Sequence, residues 1–454
     1  MKSRKNQSVD GLDRRTFVKS AAAAAAFTIV PSHVLGKDKT PPSDKMNIAA
    51  VGVGGMGESN LEEMETENIV ALCDVDWEYS AEVFEKYPDA ARYKDYREML
   101  DKEKDIDGVV VATPDHTHAI VTLAAMDLDK HVYTQKPLTR TVSEARALTK
   151  AAKTKQLVTQ MGNQAHSGEH IRLIIEWIND GAIGPVREVH AWTNRPVWPQ
   201  GILKRPEPMP VPDTLSWDLW LGPAPFREYN DIYLPFNWRG WQDFGCGALG
   251  DMGCHVIDLA HTALRLGYPE RVTASKTTQM DPDDRWKKAE NTETFPHGSL
   301  VTFEFPQRGE LPPVTLTWYD GGLQPPRPQE LEDGREMPDT GLLFIGDKGV
   351  LMTGDEMTRL IPETFMRSYD LPEKTIPRIE VSHEQNWIQC CKELKTASSH
   401  FVYAGPLTET VLLGNVALAF PYESLEYDWK SMQFTNKPEA SEWINHDYRE
   451  GWSL

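Results

Sequence analysis

The stretch NIAAVGVGGMG, from Asn47 to Gly57, decides the fold of this chain. An apolar segment of strand length runs directly into glycines with the spacing G-x-G-x-x-G, and a helix-like segment follows. Such glycines permit a tight turn and let a pyrophosphate approach the N-terminus of the next helix, where free N–H groups and the helix dipole favour anions. A glycine pattern alone could equally mark a plain turn. The predicted contacts of a bound phosphate are Gly52, Gly54, Gly55, Met56 and Gly57.

The next strand, NIVALCDVD, ends at Asp74, which lies 17 residues after Gly57. An acid at this place can accept hydrogen bonds from both ribose hydroxyls and repels a 2′-phosphate. The glycines and the acid together predict a dinucleotide site that prefers NAD to NADP. The alternative is that Asp74 is a surface acid at the end of a strand.

Strands continue to alternate with helix-like segments in IDGVVVATPDHTH, KHVYTQKPL and QLVTQMGNQ. Short, almost wholly apolar strands between helices indicate a parallel sheet covered on both faces. We therefore expect a Rossmann domain over residues 46–165. An α/β sheet of this kind holds its ligand at the carboxyl ends of its strands. At the end of the third predicted strand these positions are Thr113, Pro114, His116 and His118.

The pattern changes after residue 165. An amphipathic helix is predicted from Glu169 to Asp180, and Gly181 ends it. Alternating segments such as REVHAWTN, SLVTFEF and VTLTWYDG then indicate a largely antiparallel sheet. The predicted fold class is therefore α/β followed by α+β, with residues 166–454 forming a substrate-binding domain with an open-faced sheet. Residues 191–246 hold six of the 14 tryptophans, and we expect this Trp-rich loop to be ordered and packed on the second domain.

The first 36 residues differ in kind from the rest. Arg14 and Arg15 precede Phe17 and an alanine-rich apolar stretch, as in a twin-arginine export signal. That stretch, residues 21–30, is too short to span a bilayer as a helix. We expect an exported, periplasmic protein without membrane insertion, in which residues 37–45 form a linker. The alternative is a charged tail followed by a helix.

The charge balance bears on the partners. The chain has 48 basic and 68 acidic residues, a formal net charge of −20, so nucleic acid and anionic membranes are not expected to bind it. The five cysteines have neither a C-x-x-C spacing nor a disulfide framework, which indicates buried free thiols.

Two further motifs carry a family resemblance. YTQKPLTRTVSEAR contains Gln135, Lys136 and Pro137, and GDMGCH contains Asp251 and His255. With the glycine motif, and in this order, they make the chain from Met46 onward resemble the glucose–fructose oxidoreductase/inositol dehydrogenase (Gfo/Idh/MocA) family. The resemblance implies an NAD-dependent oxidoreductase with a small-molecule carbohydrate substrate, assembled as a homo-oligomer, either a dimer or a tetramer.

The resemblance also implies residue roles. Lys136 would hold the substrate hydroxyl beside the nicotinamide, with Gln135 at the cofactor. Family members usually have Glu-Lys-Pro, so Gln135 removes a negative neighbour from the lysine. The family's Asp and His, four residues apart on one helix face, map onto Asp251 and His255.

Alcohol oxidation needs a base for the hydroxyl proton, and an imidazole that titrates near neutral pH suits that task. In this interpretation His255 is the base, Asp251 orients it or bonds the substrate, and Lys136 supports the alkoxide. Three alternatives compete: Asp251 as a helix cap, His255 as a core histidine, and a metal bound by Asp251, His255 and Asp258. No further Cys/His/Glu set accompanies these residues, so we expect no metal.

Aromatic faces suit the C–H face of a sugar ring, and arginines suit hydroxyls or carboxylates. Each tryptophan taken alone is equally consistent with core packing. The candidate substrate-binding residues are Asn163, Gln164, Arg195, Trp198, Trp238, Arg239 and Trp241.

Three functions remain open on the sequence. The first is oxidation of a secondary hydroxyl of a sugar, glycoside or polyol by tightly bound NAD. The second is an NAD-dependent glycoside hydrolase that works through transient oxidation and elimination. The third is a non-catalytic carbohydrate-binding protein.

Overall fold

The structure is a computed structural model that describes residues 44–354 and 357–454. The predicted export signal and most of the predicted linker lie outside the described residues. From Met46 to Leu454 the chain forms one compact unit.

The first sheet has six parallel strands in the order β3-β2-β1-β4-β5-β6. With β1 in the middle and crossovers to both sides, this is the doubly wound Rossmann topology that the sequence predicts. The strands are β1 (Asn47–Val51), β2 (Asn68–Cys73), β3 (Ala91–Tyr93), β4 (Gly108–Val111), β5 (His131–Gln135) and β6 (Thr159–Gly162). The helices are α1 (Met56–Glu62), α2 (Ala81–Lys86), α3 (Tyr96–Lys102), α4 (Asp115–Asp127) and α5 (Val142–Thr154).

Strand β3 is not predicted from the sequence. This edge strand has only three residues, none of them buried, so it lacks the apolar run that marks the central strands. By contrast, all four residues of β4 are buried. The strand that precedes Thr113 is therefore the fourth in the chain.

The second sheet has nine strands in the order β13-β12-β11-β7-β10-β9-β8-β14-β15. Among the described strands of this sheet, only β7 and β10 pair in parallel, so the prediction of a largely antiparallel sheet is confirmed. Its strands are β7 (Val186–Trp192), β8 (Arg271–Lys276), β9 (Ser299–Phe305), β10 (Val314–Tyr319), β11 (Gly341–Gly346), β12 (Val350–Gly354), β13 (Met357–Ile361), β14 (Ser424–Asp428) and β15 (Gln433–Phe434).

The second half also carries α6 (Glu169–Asp180), which ends at Gly181 as predicted, in the left-handed conformation. The remaining helices are α7 (Trp217–Leu221), α8 (Gly247–Ala263), α9 (Glu363–Ser368), α10 (His383–Glu393) and α11 (Phe401–Ala419). Short 3-10 turns span Gln164–Ser167, Asp231–Tyr233, Asn237–Gly240 and Pro438–Ile444. All five cysteines are buried and unpaired, as expected.

Helix α11 is the central helix of the molecule. It is long and apolar enough to cross a membrane, but 78% of its apolar window is buried inside the protein, where the helix packs against α5 and α8. Burial of this kind is typical of the core helix of a globular protein.

Helix α10 returns to the Rossmann sheet. Trp387 is fully buried, and Ile388 lies with it in one core with Ile48 of β1 and Val110 of β4. The Trp387 ring lies against Gly108, where an added Cβ would stand 2.8 Å from it. The C-terminal part of the chain thus completes the core of the N-terminal domain.

The Trp-rich loop packs on the second domain, for example through the Gly201 N–H to the carbonyl of Phe295 at 2.9 Å, and it also packs on the Rossmann domain. The Ser216 N–H donates to the carbonyl of Val75 at 2.8 Å, and the Trp77 N–H donates to Thr214 at 3.3 Å. The loop therefore lies beside the end of β2, where Asp74 stands.

We expect Trp387→Ala to lower the free energy of unfolding by about 3–5 kcal/mol, since it empties a buried indole site in the Rossmann core. Trp286→Ala is the matched control, because Trp286 is 82% exposed and its loss should cost less than about 0.5 kcal/mol. Urea unfolding followed by circular dichroism measures both. Equal effects of the two variants would contradict the assignment of α10 to this core.

Candidate active site

The glycine loop connects β1 to α1 and needs glycine at two positions. Gly52 has φ +78°, and a Cβ there would lie 2.7 Å from the backbone of Ala112 at the end of β4. A Cβ on Gly57 would lie 2.0 Å from the carbonyl oxygen of Gly52. The loop is therefore compact, and α1 begins at Met56 after Gly55, without a side-chain cap. Gly54 lies beneath the ring of Tyr79.

Asp74 stands at the end of β2 beside this loop. Its carboxylate accepts the Val53 N–H at 2.8 Å and the Asp76 N–H at 2.9 Å, which fixes it next to the glycines. Burial raises the pKa of the Asp74 carboxyl from its ordinary value. The position suits the ribose contact that the sequence predicts.

These residues line one cleft of about 300 Å³, here called the cofactor cleft. It is bounded by Gly52, Asp74, Thr113, Pro114 and Lys136 of the Rossmann domain and by Trp238 and Arg239 of the Trp-rich loop. The buried Thr113 hydroxyl has no hydrogen-bond partner among the residues that the structure describes, so it is available to a ligand in the cleft. The cradle of glycines, the acid and this hydroxyl fit a dinucleotide.

The two histidines of the TPDHTH segment face opposite ways, because they are two residues apart in the first turn of α4. His118 lines the cleft, and its ring nitrogens lie 2.8 Å from the carbonyls of Pro137 and Thr113. His116 lies outside the lining, with Nε2 2.9 Å from the Trp220 carbonyl and Nδ1 3.2 Å from that of Phe244. His116 therefore fastens the Trp-rich loop to α4, which corrects the prediction that it contacts the cofactor.

A buried cluster of charges joins the two domains. Lys136 Nζ, just after β5, lies 2.7 Å from Asp251 Oδ1 on α8, and Arg239 Nε donates to the same oxygen at 2.9 Å. The side chains of Lys136 and Asp251 are only 11% and 12% exposed. Burial alone would raise the pKa of Asp251, but the charges of Lys136 and Arg239 outweigh it and hold this pKa well below its usual range.

His255 lies one turn further along α8. Burial, followed by the charge of Lys136, lowers the pKa of its imidazole to about 4, so it is uncharged at neutral pH. The direct partners of the Asp251 carboxylate are Lys136 and Arg239, which corrects the expectation that it orients His255. Hydrogen bonds from the charged Lys136 and Arg239 to the Asp251 carboxylate are stronger than a bond from an uncharged imidazole would be.

Gln135 joins a network that the sequence did not reveal. Its Nε2 donates to Asn60 Oδ1 at 2.9 Å, and Asn60 in turn donates to Glu384 Oε1 at 2.9 Å. Tyr133 Oη donates to the same oxygen at 2.8 Å, and Gln164 Nε2 lies 3.3 Å from it. A buried carboxylate from α10 therefore stands near the position where the family has its glutamate, although Asp251 is the acid that contacts Lys136.

The candidate substrate residues divide by position. Trp238 and Arg239 line the cleft, and the Arg239 guanidinium lies 4.2 Å from the Trp238 ring centroid. Asn163, just after β6, is fully buried, and both of its side-chain amide atoms lack a partner within the described part of the chain. Trp198 is also buried and donates to Gln200 at 2.8 Å.

Five of the seven candidates lie outside the lining of the cleft: Asn163, Gln164 and Trp198, and also Trp241 and Arg195. Trp241 is fully buried in the aromatic core of the Trp-rich loop, against Tyr233, and this corrects the substrate assignment. Arg195 bonds Asn194 and lies outside the lining of the cofactor cleft. Both follow the general tendency of tryptophan to fill cores and of arginine to bond local oxygens.

Asp115 is the functional candidate that the sequence analysis overlooked, although it lies between Pro114 and His116. It is 3% exposed and lines the cleft. Burial raises the pKa of this carboxyl to about 7, opposed by the charges of Arg239 and Lys136. An acid directly after a strand end was the available signal.

Among the residues that the structure describes, no group of three or more His, Cys, Asp or Glu side chains could hold a metal ion. Asp258, which the metal alternative required, instead accepts hydrogen bonds from His166 Nδ1 at 3.0 Å and from Tyr403.

The structure thus joins a Rossmann domain, which carries the cofactor cleft, to a second α/β domain that contributes Asp251 and His255 on α8. The oxidoreductase family with an NAD-binding Rossmann fold, Gfo/Idh/MocA, matches residues 46–163, and its C-terminal alpha/beta domain matches residues 186–266. Both matches are to domains of the Gfo/Idh/MocA family, and the Rossmann domain of this chain is of the NAD-binding type, as predicted.

Individual relatives are distant. A levoglucosan dehydrogenase from Pseudarthrobacter phenanthrenivorans is 28% identical over 190 residues, 42% of this chain and 40% of that protein. An alpha-N-acetylgalactosaminidase from Shewanella oneidensis is 27% identical over 202 residues, 38% of this chain and 44% of that protein. The chain thus spans less than half the length of these relatives. The crystal structure of aldose-aldose oxidoreductase from Caulobacter crescentus, with glycerol, shares the fold at a TM-score of 0.55 and 17% identity, covering 84% of this chain and 99% of that one.

We expect Asp74→Asn to lower the preference for NAD over NADP by about tenfold, because the neutral amide no longer repels a 2′-phosphate. Fluorescence titration with NADH and with NADPH gives both dissociation constants. Asp101→Asn, which neutralises an exposed carboxylate of α3, should leave the ratio unchanged. An unchanged ratio in Asp74→Asn would show that the acid does not face the ribose.

We expect the charges of Lys136 and Asp251 to shift the pKa of His255 in opposite directions. Lys136→Met should raise the pKa of His255 from about 4 by roughly one unit, because a like charge is removed, and Asp251→Asn should lower it. Imidazole NMR titration measures both, with His255→Asn identifying the signal. A shift of the same sign in both variants would contradict this arrangement of charges.

Proposed function

We propose that the protein oxidises a secondary hydroxyl of a sugar, glycoside or polyol, with NAD as the hydride acceptor. The observation that carries this proposal is the 2.7 Å pairing of Lys136 Nζ with Asp251 Oδ1 at the cofactor cleft, with His255 one turn away. A cation at the carboxyl edge of the sheet and an uncharged imidazole on the neighbouring helix α8 are groups that alcohol oxidation requires. The relative named levoglucosan dehydrogenase supports a carbohydrate substrate.

The nicotinamide, when bound, supplies the hydride acceptor. In the proposed reaction Lys136 Nζ donates a hydrogen bond to the substrate hydroxyl oxygen and stabilises the negative charge that develops there. His255 accepts the hydroxyl proton at an imidazole nitrogen, which is free of a proton because the pKa lies at about 4. Asp251 holds Lys136 and Arg239 in place through one carboxylate oxygen.

Glycoside hydrolysis is the second candidate, and the similarity to an alpha-N-acetylgalactosaminidase favours it. In that reaction, oxidation of a ring hydroxyl acidifies the neighbouring C–H, elimination expels the aglycone, water adds, and the hydride returns. Asp115, with its pKa raised to about 7, suits the additional proton transfers that elimination requires. Both candidates use the same Lys136 and His255.

Product analysis separates the candidates. The purified protein is incubated with a panel of sugars and glycosides, and the products are analysed for keto-sugar and for free aglycone. In deuterium oxide, hydrolysis through elimination places deuterium at the carbon next to the oxidised one, whereas simple oxidation leaves that carbon unlabelled. If glycosides bind to the protein but none is converted, the carbohydrate-binding alternative is favoured and both enzyme proposals are contradicted.

We expect Lys136→Ala and His255→Ala each to lower kcat by about 10²- to 10⁴-fold on the substrate found in this panel, because each removes a group that handles charge or a proton. NAD bound per chain, measured after denaturation, should stay unchanged in His255→Ala. Lys153→Ala, on the exposed side of α5, is the control and should be fully active. Near-normal turnover in His255→Ala would remove it as the base.

We further propose that the protein is exported folded, by the twin-arginine route, with NAD already bound, and that it functions as a homo-oligomer. Arg14 and Arg15 support the route, which carries folded proteins. Fractionation of cells that express the chain with both arginines replaced by lysine tests it, since the variant should stay in the cytoplasm. Mass photometry of the purified protein gives the oligomeric state.

A further inference from the structure

The last ten residues of the chain cross back to the Rossmann domain. After the 3-10 turn Pro438–Ile444, Tyr448 donates from its hydroxyl to Glu144 on α5. Arg449 then binds α7 of the Trp-rich loop, with Nη1 2.6 Å from Asp218 Oδ1 and Nε 2.7 Å from the carbonyl of Gly222. The backbone N–H of Arg449 donates to Pro223 at 3.2 Å. The segment 445–454, here called the C-terminal tail, is therefore anchored both to α5 of the Rossmann domain and to the Trp-rich loop.

Trp452 is the residue that this anchoring positions. It is half-buried and lines the cofactor cleft together with Lys94, Asp95 and Tyr96, which follow β3. The guanidinium of Arg97 lies 4.5 Å from the centroid of its ring. The contacts of Arg449 therefore fix the backbone of the tail next to Trp452, and the Arg97 guanidinium of α3 contacts the indole ring itself.

The strand order shows which end of the cleft Trp452 closes. In a doubly wound dinucleotide fold the first half, β1 to β3, binds the adenosine and the second half binds the nicotinamide. Asp74 after β2 marks the ribose, and Lys136 after β5 marks the reacting end. Lys94 to Tyr96 follow β3, beyond Asp74, so Trp452 stands at the adenine end.

We propose that the C-terminal tail is a cofactor clamp, in which Trp452 packs against the adenine of NAD and Arg449 is the positioning residue that holds the tail closed. An indole offers an aromatic face to a base, and such contacts contribute substantially to nucleotide binding. NAD leaves the cleft only after the tail has lifted, so the clamp acts mainly on the dissociation rate.

The experiment measures release of NADH from the loaded full-length protein. An excess of NAD is added, and the loss of protein-bound NADH fluorescence gives the dissociation rate constant. Trp452→Ala should release NADH about tenfold faster, and Trp452→Phe, which keeps an aromatic face, should lie much closer to the unchanged protein. Arg449→Ala should accelerate release in the same direction.

Trp443→Ala is the matched control. Trp443 lies in the turn just before the tail, is 52% exposed and packs edge-on against Phe420, away from the cleft lining. Its loss should leave the release rate unchanged. Thermal unfolding without cofactor checks that each variant is folded, and if Trp452→Ala is not, Trp452→Phe and Arg449→Ala decide.

Release from folded Trp452→Ala within about twofold of the unchanged protein would overturn the clamp. If Trp443→Ala accelerated NADH release as much as Trp452→Ala does, the clamp would also be overturned. Any change in the C-terminal segment would then speed release, and Trp452 would have no specific role. These readouts concern cofactor release alone, so they stand whatever substrate the protein uses.

Discussion

The pairing of Lys136 with Asp251 is the interaction on which the rest of the molecule depends. The two residues are 115 positions apart and belong to different domains, yet both are nearly buried. A buried charge without a partner is strongly destabilising, so the two domains must dock with α8 against the end of β5. Arg239 makes a third member, and the cluster keeps a net positive charge beside His255, which helps to hold that imidazole uncharged.

Aromatic packing makes this cluster rigid. The guanidinium of Arg239 lies 4.3 Å from the Phe236 ring and 4.2 Å from the Trp238 ring, so its position does not depend on the carboxylate alone. His116 fastens the same loop to α4 through two backbone carbonyls. Trp238 and Phe236 therefore help to fix the charge of Arg239 at the cleft, next to the Asp251 carboxylate.

The Rossmann domain of this chain is not a self-contained unit. Its core takes Trp387 from α10, its edge beside Asp74 pairs with the Trp-rich loop, and its adenine end is closed by Trp452. Three distant segments of the second half thus cover the cofactor domain. Such interleaving couples the binding of the cofactor to the integrity of the whole chain.

The sequence by itself determined the features that depend on residues close to one another along the chain. Glycine spacing predicted the turn between β1 and α1, Asp74 predicted the dinucleotide preference, and the apolar period of α6 with Gly181 predicted that helix to its last residue. These features depend on local backbone freedom and periodicity, which a few consecutive residues specify.

Only the tertiary structure decided which side chains meet. It separated His116 from the cleft, buried Trp241, gave Asp251 two cations in place of an imidazole, and brought Glu384 and Trp452 to the cofactor domain. Contacts between residues a hundred or more positions apart arise from the packing of whole elements and from the need to pair buried charges. A short sequence motif therefore does not show which distant residue a side chain will contact.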